Sequence, residues 1–351
     1  MDILTPDPAA PPPEMPEGIP FPAADPGPPS RLAARCPVAA ETPLLQSRSL
    51  ARRTGVGELW VKDERTRMGL GSFKALGAAH VIAHAATARG GDPATALKGE
   101  TYVTASAGNH GLSVAAGARV FGARAVVFIA QTVPEGFARR LRDKGAQVVR
   151  AGADYEASMA AAAKAARENG WTLLSDSSWP GYTELPHRLM EGYLVLMDEA
   201  ARQLPLPPTH IFLQAGVGGL AGAAAAFARA RWGDAPRIVV VEPEAAPALA
   251  ESIRTGRAVT APGPVSCMGR LDCKEPSLIA LKGLARDANH FATITEAEAA
   301  EAMPVLAEEG LATTPSGGAG LAALLAAGPH RAALGLDEGS RVLAILSEEP
   351  E

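Results

Sequence analysis

The chain has 351 residues, 47% hydrophobic and 20% charged, with a net charge of −5, a pI near 5.9 and a mean hydropathy of +0.05. That is enough for a substantial core shared between two domains, and the acidic balance excludes the broad basic field that draws nucleic acid. Three cysteines, Cys36, Cys267 and Cys273, match neither a disulfide framework nor a four-ligand zinc site, and no apolar run reaches the roughly 20 residues of a membrane helix, so a soluble cytoplasmic protein with no membrane partner is expected.

Residues 1–30 are crowded with proline, alanine and acidic side chains, as in Pro11-Pro12-Pro13 and Pro26-Gly27-Pro28-Pro29. Proline removes a backbone donor, so a flexible arm is predicted. From Thr42 the chain reads as globular. A strand at 59–62 leads through a glycine-rich loop to a helix over 75–88, closed by Gly90-Gly91-Asp92-Pro93. A strand at 102–106 runs into Gly108 and a helix over 110–121, and a strand at 125–130 precedes a helix over 134–144. The alternation continues with a strand at 147–150, a helix at 155–169, a strand at 172–175 and a long helix over 183–203. Then come a strand at 210–214, a helix at 219–232, a strand at 237–242, helices near Pro247 and Pro276, and a closing strand at 342–346. Such βα alternation with short connections predicts an α/β fold with mostly parallel sheets.

Three stretches could carry chemistry. Gly71-Ser72-Phe73-Lys74 places a lysine at the mouth of a helix, where a solvated surface charge is the plain alternative. Ser106-Ala107-Gly108-Asn109-His110-Gly111 joins a strand to a helix through small residues that let a ligand approach the backbone; a capped tight turn would look the same. Gly216-Val217-Gly218-Gly219-Leu220 follows another strand and offers successive N–H groups at the positive end of a helix, suited to a single phosphate. Its glycine spacing is not the dinucleotide fingerprint, Glu242 alone does not supply the ribose contact, and the Gly-Lys-Ser/Thr of a nucleotide loop is absent.

Together, in this order and spacing, the three stretches resemble the fold type II, tryptophan-synthase-β-like pyridoxal-phosphate enzymes, over nearly the whole chain from Thr42. Among these the diaminopropionate ammonia-lyases are most similar, on Asp176-Ser177-Ser178-Trp179-Pro180-Gly181-Tyr182-Thr183, Glu191-Gly192-Tyr193 and Cys273-Lys274-Glu275-Pro276. The resemblance implies two three-layer αβα domains: a large cofactor-binding domain of residues 31–95 and 190–351, and a small domain of residues 96–189 that closes on substrate. It also implies a homodimer acting on a small amino acid in catabolism.

By the same resemblance Lys74 carries pyridoxal 5'-phosphate as a Schiff base and takes the Cα proton, which requires a lowered lysine pKa. Asn109 would meet the cofactor's phenolic oxygen and Gly216, Val217, Gly218, Gly219 and Leu220 its phosphate. Ser347 would face the pyridine nitrogen; a neutral hydroxyl there favours prompt loss of a β-substituent over a long-lived carbanion. Ser106, Ala107, Gly108 and His110 would hold the substrate carboxylate. Asp176 could pair with a second ammonium on the substrate, with Tyr155 a further candidate nearby.

One position departs from the pattern. Ammonia-lyases that accept both enantiomers carry an aspartate, and serine racemases a serine, where this chain has Ala107. Alanine moves no proton, so an L-specific lyase acting on 2,3-diaminopropionate is expected. The same alanine keeps an L-threonine, L-serine or 3-hydroxyaspartate dehydratase open, and a non-catalytic phosphate-binding module is the reading from another class. Cys267 and Cys273 receive no role, and no metal site is expected.

Overall fold

The computed structural model describes residues 1–350. Its strands are β1 (Asp2–Leu4), β2 (Leu44–Gln46), β3 (Glu58–Asp63), β4 (Thr101–Ala105), β5 (Arg124–Ile129), β6 (Gln147–Arg150), β7 (Thr172–Leu173), β8 (His210–Gln214), β9 (Arg237–Pro243), β10 (His290–Ile294) and β11 (Arg341–Leu346). Seven form one sheet in the order β1-β10-β9-β8-β11-β3-β2; four form a second in the order β6-β5-β4-β7. The smaller sheet is parallel throughout. In the larger one only the edges, β1 on β10 and β2 on β3, run antiparallel.

The interior strands read as they do because both faces are covered. Ile211, Phe212, Leu213, Val239, Val240, Val241, Leu343, Ala344 and Ile345 are fully buried, and a parallel sheet packed by helices on each side wants unbroken apolar runs rather than alternation. Alanine and glycine dominate the helix Gly219–Trp232, which lets it pack closely against the helices Leu278–Asp287 and Glu184–Gln203.

Residues 1–33 do not form a loose arm. β1 caps the edge of β10, with Asp2 opposite Thr293 and Leu4 opposite Phe291, and the terminal ammonium meets Glu298 at 2.5 Å. Ile19 is buried, its carbonyl accepts from Lys282 Nζ at 2.5 Å, and the Phe21 ring lies under Lys282 and Arg286, 4.6 and 4.3 Å from its centroid. A helix spans Gly27–Ala33. Proline bars a ladder of its own, but an extended proline-rich segment loses little entropy on docking, and here it covers an edge that would otherwise be open.

The loop between β3 and Lys74 is fixed by buried charges. Arg67 pairs with Glu64 at 2.7 Å and Glu199 at 2.6 Å, and Lys62 pairs with Glu199 at 2.7 Å; Thr42 donates to Glu64 at 2.5 Å. The two cations and two carboxylates balance, and each has the partners that a charge taken out of water requires. The cluster ties the loop to the helix Glu184–Gln203, with Met68 held at φ 52 beside it.

Candidate active site

Lys74 opens the helix Lys74–Arg89 at the top of the larger sheet. The turn before it is tied to the end of β11: Phe73 N–H donates to Ser347 O at 3.1 Å and Ser72 bridges to Glu348. The Lys74 ammonium forms an ion pair with Asp176 from the small-sheet side. Burial alone would push Lys74 down, but the Asp176 carboxylate outweighs it and holds the amine above the ordinary lysine range. On Asp176 burial raises the pKa, while Lys74 and then His110 pull it well below the usual carboxylate range. In this arrangement Lys74 is charged at neutral pH.

The Asp176 loop is held rigidly. Ser178 and Ser277 hydroxyls lie 2.7 Å apart, and Ile279 N–H donates to Ser178 Oγ at 2.9 Å, which fastens the loop to the start of the helix Leu278–Asp287. Trp179 stacks on Tyr182 at 4.3 Å, and the Tyr182 hydroxyl donates to Leu173 O at 2.8 Å while accepting from Ser175 N–H at 3.0 Å.

The turn of residues 106–110 connects β4 to the helix Asn109–Val120. His110 Nε2 lies 2.9 Å from Leu174 O, so that nitrogen carries the proton. Burial and Lys74 depress its pKa against the pull of Asp176, leaving Nδ1 as an acceptor without a partner. Asn109 Nδ2 donates to Glu348 Oε2 at 2.6 Å, which orients the amide and leaves its second N–H for a ligand. Glu348 also accepts from Thr314 and lies 3.0 Å from Arg270 Nε.

The glycine loop forms a cradle that side chains would fill. A Cβ at Gly216 would lie 3.0 Å from Cys273 Sγ and 3.1 Å from Arg270 O, and Gly218 has φ +96, a conformation that favours glycine. The helix Gly219–Trp232 starts without a side-chain cap, so its first N–H groups are offered to an anion. Near the cradle and Lys74 stand buried polar atoms that make no hydrogen bond of normal geometry among the described residues: Ser72 Oγ, His110 Nδ1 and the Tyr193 hydroxyl. A single phosphate with a polar aromatic ring attached fits this donor set and these orphaned atoms.

Residues 37–348 match the family model described as pyridoxal-phosphate dependent enzyme. The chain belongs to this family. It is 32% identical to the diaminopropionate ammonia-lyase of Salmonella typhimurium over 78% of this chain and 73% of that one, and 29% identical to a mouse serine dehydratase-like protein over 81% of each. The crystal structure of Escherichia coli diaminopropionate ammonia-lyase, in complex with an aminoacrylate-PLP reaction intermediate, superposes with a TM-score of 0.86 at 27% identity, covering 99% of this chain and 93% of that one. Pyridoxal phosphate is therefore the cofactor of this enzyme and the fold is type II.

Beside the glycine cradle the fold brings together Lys74, Asp176 and His110, with Tyr155 near Asp176. Tyr155 opens the helix Tyr155–Asn169 behind its Asp154 cap. Over half of the residue is exposed, while desolvation and then the Asp176 charge raise its pKa. Ser347 is buried with its backbone held between Phe73 N–H and Gly317 O. Ala107 packs half-buried against the core. Lys274 is engaged elsewhere, on Asp272, Ala245 O and Pro264 O, and Glu242 caps a helix through the N–H groups of Leu249 and Ala250, at 2.8 Å each.

Sequence reasoning gave no role to three residues that stand here. Glu348 joins Asn109, Thr314 and Arg270; its only trace in the chain is an acid two residues past an apolar strand. Cys273 sits under Gly216, its thiol pushed up to about 12 by burial and the Asp176 charge, which makes it a poor nucleophile. Tyr193 enters the sequence reading only within Glu191-Gly192-Tyr193, without a role of its own, and its hydroxyl, which makes no hydrogen bond of normal geometry, marks it as more.

Proposed function

We propose that this enzyme is an ammonia-lyase that eliminates the β-substituent of a small L-amino acid, with 2,3-diaminopropionate as substrate and pyruvate and ammonia as products. The observation that carries this is the Lys74–Asp176 ion pair. A substrate bearing a second ammonium can replace Lys74 on the carboxylate, so that binding satisfies Asp176 and frees Lys74 as a neutral base in one exchange. The ammonia-lyase relatives support the same reading.

Bound, pyridoxal phosphate supplies the electron sink that makes a Cα–H acidic. The N–H groups of Gly216, Val217, Gly218, Gly219 and Leu220 would hold its phosphate, Asn109 would donate to its phenolic oxygen, and the Ser347 hydroxyl would meet its ring nitrogen. Ser106, Ala107, Gly108 and His110 take the substrate carboxylate. Lys74 Nζ removes the Cα proton, and the amine at Cβ departs. Ala107 offers no base on the opposite face, which restricts the reaction to the L-enantiomer. A homodimer in the cytoplasm is part of the same proposal, and light scattering tests its dimeric state.

A dehydratase acting on L-serine or L-threonine shares the proton removal but brings only a hydroxyl to Asp176, which leaves that carboxylate without a new cation. 3-Hydroxyaspartate brings a second negative charge to it. A non-catalytic phosphate-binding module would give no use to Lys74. The test is a panel of L-2,3-diaminopropionate, L-serine, L-threonine and 3-hydroxyaspartate, assayed for 2-oxo acid and ammonia. Two ammonia per pyruvate from the first is the expected result; activity confined to the hydroxy amino acids overturns it.

A further inference from the structure

Tyr193 lies on the inner face of the helix Glu184–Gln203 and is fully buried. Its ring packs against Phe73 at a centroid distance of 4.9 Å, and the Lys74 ammonium stands 5.3 Å over that same Phe73 ring. On one side it fills the space left by Gly77, where a Cβ would come within 2.8 Å of Tyr193 Cε1; on the other it faces Gly219, whose Cβ would lie 3.7 Å from Cε2. Gly77 is one turn after Lys74 on the same helix face, so the phenol is wedged between the lysine and the phosphate cradle.

The hydroxyl of Tyr193 is near enough to Lys74 for the two groups to act on each other but makes no hydrogen bond of normal geometry among the described residues. A buried hydroxyl left so carries the cost of its lost hydration, and isosteric phenylalanine would avoid that cost. The packing does not need the oxygen, so its use is to be sought in the site it faces. The charges acting on it are those of Lys74 and Asp176; the titratable groups facing Lys74 are Asp176, Tyr193 and Cys273, and Asp176 in turn faces His110.

We propose that Tyr193 is the positioning residue for Lys74 in its neutral form: its hydroxyl donates to Nζ once Asp176 has turned to a cationic substrate group. An ammonium cannot accept a hydrogen bond, whereas a neutral amine can. The bond therefore favours the neutral base and fixes where Nζ stands. The inference rests on Lys74 being the base and on Asp176 being its alternative partner.

The test is Tyr193→Phe, in two measurements. In the holoenzyme, loss of the bond raises the pKa of Lys74, so the acidic limb of the kcat profile moves to higher pH and kcat falls roughly three- to tenfold, with little change in KM. In the Asp176→Asn chain freed of cofactor, where no carboxylate holds Nζ, competitive acylation of Lys74 read by peptide mass spectrometry gives its pKa, and adding Tyr193→Phe raises it. Both shifts are required; an unmoved limb, an unmoved labelling curve, or a shift to lower pH overturns the role. Lys74→Ala separates this from the underlying reading: if that variant still turns over, Lys74 is not the base, whereas an inactive Lys74→Ala beside an unperturbed Tyr193→Phe removes Tyr193 alone.

Discussion

Asp176→Asn removes a charge and almost no volume, and its effect depends on the substrate. Truncating one partner of a desolvated charge pair in a binding site costs about 2–5 kcal/mol. The side chains of Lys74 and Asp176 keep 23% and 18% of their exposure, so solvent screening places the loss toward the lower end, about 3 kcal/mol, or roughly 10²-fold in kcat/KM. For L-2,3-diaminopropionate the full loss is expected, because the neutral amide of the variant cannot balance the second ammonium. For L-serine, which brings no such charge, the change should be within a few-fold, and Lys74, relieved of its carboxylate, should titrate lower. The assay is pyruvate formation from each substrate under the same conditions. A parallel loss on both would refute the reasoning, since it would mean that Asp176 serves only to hold Lys74; equal retention of both would mean that it contacts no substrate charge at all.

Lys74→Ala should abolish both the visible absorption of the holoenzyme and turnover, read by spectrophotometry and pyruvate assay. Ala107→Asp places a proton acceptor opposite Lys74 and should raise turnover of D-2,3-diaminopropionate by about 10² or more, with the L-enantiomer still processed; no gain would show that the opposite face lacks more than a base. Glu242 is held at a pKa of about 8 by burial, against the two N–H groups that it accepts and with some help from Glu251. A carboxyl raised on folding contributes stability that is complete below its unfolded value near 4.5 and is lost as pH rises through 8. Thermal melts of Glu242→Gln should therefore decline less between about pH 6 and about pH 9 than those of the parent.

Much of this protein was legible along the chain. The α/β class followed from alternating apolar runs and helical periods, because a strand buried on both faces and a helix buried on one leave different spacings. The glycine loop was legible because few other residues permit φ +96 at Gly218 or a contact as close as that of Gly216 on Cys273. Lys74 followed from its neighbours in sequence and from resemblance. The edge strands β1 and β2, and β10 beside β1, were not legible: they are short, and β1 and β2 exist only because another strand offers a partner.

What the sequence determined by itself is the set of local geometries and the chemistry that each can offer: a lysine at a helix mouth, a turn of small residues, an anion cradle, and an alanine where a second base would stand. Tertiary structure alone decided which groups meet. It set Asp176 against Lys74 across 102 positions, docked the proline-rich N-terminus on the sheet edge, buried Glu348 between Asn109 and Arg270, and left the Tyr193 hydroxyl facing the lysine. Charge state in a site depends on burial and on the distance between groups, and neither quantity is written in spacing along the chain.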